Sequence, residues 1–211
     1  VGGGEAVAVT AVRSIVKKKE MERGIVDKDG NQLTDAAETG ICWTRKLGWL
    51  CNMLWGGVIL LCIEHIWHGE VVPFPPFLTA MYNAADTSAM LHEMATVGVG
   101  MCVMVTVCWA IVTVVADAVV KRSAHAVATG HNSQMKIGVL ALMYWGAGLM
   151  WTVDGIASLL EGEAFIEIAD HAAMLDDALL GLAIVTTGLI AWALYLLLKD
   201  PKGMVRKSLA A

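Results

Sequence analysis

Residues 48–120 contain no lysine or arginine, and residues 137–198 again contain none. All the basic charge falls before Leu47, in the stretch from Lys121 to Lys136, or after Leu198. A helix of a soluble domain needs a solvated, charged face, and stretches this long without a cation do not supply one. They are also apolar. Only 17% of the chain is charged, against about a quarter in ordinary soluble domains, and the mean hydropathy is +0.62. A bilayer core is crossed by about 20 mostly apolar helical residues, and residues 47–67, 90–120, 137–160 and 174–198 each meet that length. The expected fold class is therefore all-α integral membrane, with four transmembrane helices. The second run is long enough to tilt or to project from the bilayer.

Basic residues are retained on the cytoplasmic side of a membrane. Arg13, Lys17, Lys18, Lys19, Arg23, Lys28, Arg45 and Lys46 precede the first run. Lys121, Arg122 and Lys136 lie between the second and third, and Lys199, Lys202, Arg206 and Lys207 follow the fourth. The expected layout is a cytoplasmic N-terminal region (1–45), a first hairpin (46–121), a cytoplasmic link (122–135), a second hairpin (136–198) and a cytoplasmic tail (199–211). The protein is then integral to the cytoplasmic membrane with both termini inside, and the loops after helices one and three face outward. The chain begins at Val1 rather than Met, as expected where a native start is missing. Its apolar run at 6–12 is too short to span and does not read as a signal peptide.

Comparing the chain with itself reveals an internal repeat. KLGWLCNMLWGG from Lys46 aligns with KIGVLALMYWGA from Lys136, pairing Lys46/Lys136, Gly48/Gly138, Leu50/Leu140, Met53/Met143, Trp55/Trp145 and Gly56/Gly146. At the same offset of 90, Glu64 falls on Asp154 and Ile66 on Ile156. DTSAMLHE from Asp86 then matches DHAAMLDD from Asp170 at an offset of 84, the difference lying in a longer first outer loop that holds Pro73, Pro75 and Pro76. The four helices are thus expected to be a tandemly duplicated two-helix hairpin. Two spans per copy keep both copies in one orientation, related by an axis along the membrane normal. Leucine and glycine matches between apolar helices carry little weight; the lysine, tryptophan, methionine and acidic matches carry more.

The repeat places ionisable groups at equivalent helix ends. Glu64 and Asp154 close helices one and three; His92 with Glu93, and Asp176 with Asp177, open helices two and four. His65, His68 and His171 are further ligand candidates at the same level. Carboxylates at the edge of hydrocarbon are costly unless paired, protonated or bound to a cation, and no lysine or arginine is near in sequence. Imidazole with carboxylate suits zinc, copper or iron, whereas carboxylates alone suit a hard cation or a proton path. The expected metal site is Glu64, His92, Glu93, Asp154, Asp176 and Asp177. Haem b between histidines is the weaker cofactor expectation, because the second copy has Asp176 where the first has His92. Asp86 and Asp170 read as helix N-caps, Asp117 as a group reaching for the interface, and His125 and His131 as solvated.

Gly24 to Thr34 reads as a turn between two short extended segments around Asp29-Gly30. The acidic spacing there also echoes a calcium loop, but Gln32 stands where the sharp turn needs glycine. The five cysteines form no C-x-x-C pair and read as small apolar fillers. Trp67, Phe74, Phe77 and Tyr82 read as an interfacial aromatic belt, and the PFPPF run as a contact for another subunit. The net charge of −5, with no basic aromatic stripe, does not suggest a nucleic-acid partner, and none is expected. No nucleotide-binding loop, hydrolase elbow or H-E-x-x-H motif occurs. The expected partners are the lipid bilayer and other membrane-complex subunits. The function expected is a membrane subunit of a larger redox or ion-translocating complex, whose outward carboxylate/His cluster binds a cation or relays protons. The alternatives are a haem b-bearing electron-transfer anchor and a structural scaffold subunit without chemistry of its own.

Overall fold

The computed structural model describes residues 1–122, 137–162 and 171–198. Within them lie seven α-helices: α1 (Gly2–Glu22), α2 (Ala36–Thr39), α3 (Trp43–Trp67), α4 (Ala84–Ala95), α5 (Val97–Arg122), α6 (Ile137–Glu161) and α7 (His171–Leu198), with a 3-10 turn at Thr79–Tyr82 before α4. No strand forms among the described residues, only the isolated bridges Val26–Gln32 and Val71–Leu78. The fold is all-helical, and four helical spans are long and apolar enough to cross a membrane: Trp43–Trp67, Ala84–Ala118, Gly138–Leu160 and Met174–Tyr195.

The second span begins earlier than its apolar run. Asn83 caps α4 by accepting the Asp86 N–H at 2.8 Å, and its own amide donates to the Asp86 carboxylate. Asp86 is therefore not the N-cap expected of it. It sits one turn inside, as the partner of a cap three residues earlier, an arrangement that satisfies two groups reciprocally. Asp170, the corresponding expectation in the second copy, lies outside the described residues. The span then breaks at Thr96, whose hydroxyl donates to the His92 carbonyl at 2.9 Å. Such back-bonding to the preceding turn bends helices.

α3 is the hub. Half of its apolar window is buried, against 28% for α6 and 17% for each of the other two spans, because α1, α5, α6 and α7 all pack on it. Its tightest neighbour is α6. A Cβ added at Gly56 would lie 2.6 Å from the Met143 Cβ, and one added at Gly146 would lie 2.6 Å from the Met53 carbonyl carbon. Met53 and Met143 are equivalent under the offset of 90, as are Gly56 and Gly146. Each methionine thus covers the glycine on the opposite helix. One turn on, Met150 packs on Gly57 and Leu60 on Ala147, a second pair of contacts related by the same offset. Only small residues permit backbones to approach this closely.

α1 runs antiparallel to α3 along most of its length. Glu20 meets Trp43 and Thr44, Arg13 lies against Gly48, Thr10 touches Cys51 and Trp55, and Gly2 reaches Val58. The apolar run at 6–12, too short alone, is the middle of a helix of 21 residues. Ala6 is fully buried among Leu50, Met53, Leu54, Val105 and Met150. Trp55 donates its indole N–H to the Thr10 hydroxyl at 3.0 Å.

The start of α3 is closed by side chains from elsewhere in the chain. Cys42, at its N-cap, offers no side-chain bond. Instead the buried Glu20 accepts the N–H groups of Trp43 at 2.9 Å and Thr44 at 3.0 Å, and Gln32 accepts the Cys42 N–H at 2.9 Å. A carboxylate at a helix N-terminus meets both orphan donors and the positive end of the helix dipole. We expect Glu20→Ala to destabilise the protein by about 1–3 kcal/mol, and Glu20→Gln, which keeps one acceptor, by less. Hydrogen exchange at the Trp43 and Thr44 amides reads this directly; protection unchanged in Glu20→Ala would contradict it.

Residues 24–34 form the expected turn. The Asp27 carboxylate accepts the N–H groups of Asp29 (2.9 Å) and Asn31 (2.8 Å) and the Asn31 side-chain amide (2.8 Å). Those bonds, led by the Asn31 amide, hold its carboxyl below the usual aspartate range. Its oxygens are occupied by the turn itself. The Gln32 side chain serves the α3 start and donates to the Gly40 carbonyl at 2.8 Å. Burial pushes the Cys42 thiol up, which keeps it a neutral packing group.

Candidate functional site

The two ends of the helix bundle carry different chemistry. At the Lys46 end, the Lys46 ammonium is buried, pairs with the Asp117 carboxylate and lies 4.8 Å from the centre of the Trp43 ring. Asp117 also accepts the Ile41 N–H at 3.0 Å. The expectation that Asp117 reaches out to the interface is corrected: α5 ends beside the start of α3, so its carboxylate finds a cation and a backbone donor within the protein. Trp109 adds a bond from its indole to the Lys46 carbonyl at 2.8 Å.

At the opposite end, α3 and α6 run side by side and bring Glu64 and Asp154 into electrostatic reach of each other, with His65, His68 and Glu70 also acting on Glu64. Both carboxylates are half-buried. His65 Nδ1 lies 2.6 Å from Glu70 Oε2, both side chains being about half exposed. The Trp67 indole donates to Asp176 Oδ1 at 3.2 Å, which ties the end of α3 to the first turns of α7. Glu64, Asp154, His65, His68 and Asp176 thus belong to one end of the α3/α6/α7 group, and Asp177 is exposed beside Asp176.

His92 and Glu93 are placed differently. They are exposed on α4, which packs only against the 3-10 turn and α5 among the described elements. Their backbone carbonyls receive the Thr96 N–H at the break. α7 opens at His171, whose side chain is outside what is described. Among the described residues, no group of three or more His, Cys, Asp or Glu side chains is arranged to hold a metal ion. Trp67, Phe74, Phe77 and Tyr82 are all exposed near this end. The cysteines at 51 and 102 are buried, Cys108 is half-buried and Cys62 is exposed; all are free thiols.

One ionisable group in the interior escaped the sequence reading. Glu5, on α1, accepts a bond from the Thr106 hydroxyl of α5 at 2.7 Å. Its environment in sequence, GGGEAVAVTAV, is small and apolar, with Gly2, Ala6 and Thr10 at helical spacing of four. That spacing is the signal for a helix stripe packed closely on another helix.

The chain matches no protein-family model, no curated protein and no solved structure.

Proposed function

We propose that the chain is a membrane subunit of a redox or ion-translocating complex, in which the Glu64 end of the bundle binds a cation or relays protons. In this reading the four long apolar helices cross the cytoplasmic membrane as two tandem copies of one hairpin. The 122–135 link and the tail after Leu198 face the cytoplasm, following the basic residues, whereas the N-terminal end of α1, which reaches Val58 of α3, lies within the apolar layer in this reading. Exposed apolar stripes support the bilayer: Val99, Val103, Val107, Ile111 and Val114 are each more than 40% exposed along α5. A surface of that kind needs a hydrocarbon neighbour. The reciprocal Met53–Gly146 and Met143–Gly56 contacts support a duplicated hairpin with an approximate two-fold axis between α3 and α6.

The observation that carries the functional reading is that Glu64 and Asp154 lie within electrostatic reach of each other on adjacent helices. They are equivalent positions of the two copies, half-buried and within electrostatic reach, at the end where the sequence supplies no lysine or arginine. Two such carboxylates repel unless a cation or a shared proton lies between them. His65 and His68 follow Glu64 on α3, and Asp176 is tied to the end of the same helix by the Trp67 indole. His92 and Glu93, on the separate α4, would act as an outer relay rather than as ligands in the same shell.

The test is cation retention by the purified protein. Glu64→Gln with Asp154→Asn should weaken binding of an added divalent ion about tenfold or more, the equivalent of about 1.4 kcal/mol, or remove a pH-dependent proton uptake of the same protein. His92→Ala should change either by much less. Unchanged cation binding and unchanged proton uptake in the double variant would defeat the proposal.

A further inference from the structure

α4 stands past the end of the apolar layer. Asp117, which pairs with Lys46 at one end of the bundle, lies twenty residues after Val97 on α5. At the helical rise per residue that is about 30 Å, the full thickness of a hydrocarbon layer. α3 agrees, since its last residue, Trp67, is twenty-one residues from Lys46. The break at Thr96 therefore falls at the outer edge, with α4 and the 3-10 turn before it beyond. No α4 side chain is buried. Thr87, Leu91 and Met94 recur at helical spacing on one side of α4, with Asp86 and Glu93 beside them. The Thr87 hydroxyl donates to the Ala80 carbonyl at 3.0 Å, which ties α4 to the turn. Met81 and Tyr82 of that turn, with Ala84, Thr87 and Leu91, line an open depression of about 490 Å³. Met81, Tyr82, Leu91 and Met94 are each 40–60% exposed.

We propose that this surface docks a basic protein on the outer side of the membrane, with an apolar anchor of the partner in the depression and its lysines and arginines around the rim. Charge complementarity selects the partner. Glu70, Asp86, Glu93, Asp176 and Asp177 supply acid at this end, and residues 48–120 and 137–198 hold no lysine or arginine to offset them. Methionine and tyrosine inside a charged rim are the anatomy of a protein interface, and opposite charge steers the encounter. A helix that lies in a lipid surface carries lysine and arginine on its polar face, whereas α4 carries Asp86 and Glu93. The docking surface depends on the membrane reading above for its depth, but it lies beyond Glu64 and Asp154 and gives them no part.

Two measurements on the full chain in phosphatidylcholine nanodiscs test this. Leu91→Cys and Met94→Cys should react with a membrane-impermeant maleimide, mapped by peptide mass spectrometry, and a fluorophore placed there should escape quenching by brominated acyl chains. A short amphipathic helical peptide of leucine and lysine is the probe for the partner. It should bind the loaded discs more tightly than empty discs, and a leucine–glutamate peptide of the same pattern should not. Leu91→Ser with Met94→Ser, both exposed side chains, should weaken that binding about tenfold or more, and Glu93→Gln should reduce its salt dependence. Shielding from the maleimide together with quenching by the brominated lipid would show that the bilayer surface covers this face, and would overturn the proposal. Peptide binding that the double variant leaves unchanged would overturn it too, while the membrane reading stood. A chain that stays dispersed without lipid or detergent would defeat the membrane reading, and the docking surface with it.

Discussion

Gly146→Ala should cost the protein about 3 kcal/mol or more, whereas Gly148→Ala, two residues along the same helix, should cost almost nothing. The added methyl at Gly146 would press on the Met53 backbone, its carbonyl carbon lying 2.6 Å away, whereas a Cβ at Gly148 meets nothing within 4 Å. Backbone cannot rotate aside as a side chain does, so α3 and α6 must part, and the contacts of Met150 with Gly57 and of Leu60 with Ala147 loosen with them. Overpacking of a tight core costs about 1–3 kcal/mol even where side chains can yield; a backbone clash belongs above that range. Gly56→Ala should be as severe, because its methyl would strike Met143 in the mirror contact. The double variant should be less harmful than the sum, since helices already separated by one methyl make room for the other. Reversible unfolding in detergent or bicelles measures all three. Equal stability of the Gly146 and Gly148 variants would show that the close crossing does not exist.

Lys46→Met is the second large effect. It removes the cation from Asp117, whose side chain is only 27% exposed, while the lysine side chain itself is 8% exposed. Stranding one member of a buried pair costs about 3–5 kcal/mol. Here the lower end, about 3 kcal/mol, is expected, because Asp117 keeps the Ile41 N–H and some contact with solvent. Replacing both, with Lys46→Met and Asp117→Leu, should recover much of the loss, since an apolar pair has no desolvation to offset. A double-mutant cycle on unfolding free energy reads the coupling. A coupling near zero would mean that the two charges are independently solvated.

The four long helices were legible because a run of apolar residues free of basic charge has one compatible environment. Their ends were not, since caps act from outside the run: Glu20 starts α3 four residues before its apolar stretch, and Asn83 starts α4 six residues before Met90. α1 was hidden because its lysines and glutamates dilute the apolar signal, and its helix packs through small residues. Gly56 and Gly146 were given little weight as matches between apolar helices, yet they form the close crossing of α3 with α6. Glu64 and Asp154 share an offset of 90 in the sequence and lie on two helices that pack side by side, within electrostatic reach of each other. The joining of His92 and Glu93 to them was an inference from depth alone. Two residues at one depth need not share a side of the bundle, and α4 packs toward α5 and the turn before it.

Glu20 has a consequence for how the chain is made. It precedes Trp43 by 23 residues, and synthesis runs from the N-terminus. The carboxylate that finishes the first turn of α3 therefore leaves the ribosome before α3 itself. So does the stripe of Gly2, Ala6 and Thr10 that covers one flank of α3. The first span emerges with its cap and one packing partner already made. Its other close neighbour, α6, is translated only after α5, so the Gly56 seat stays bare through much of biogenesis until Met143 arrives.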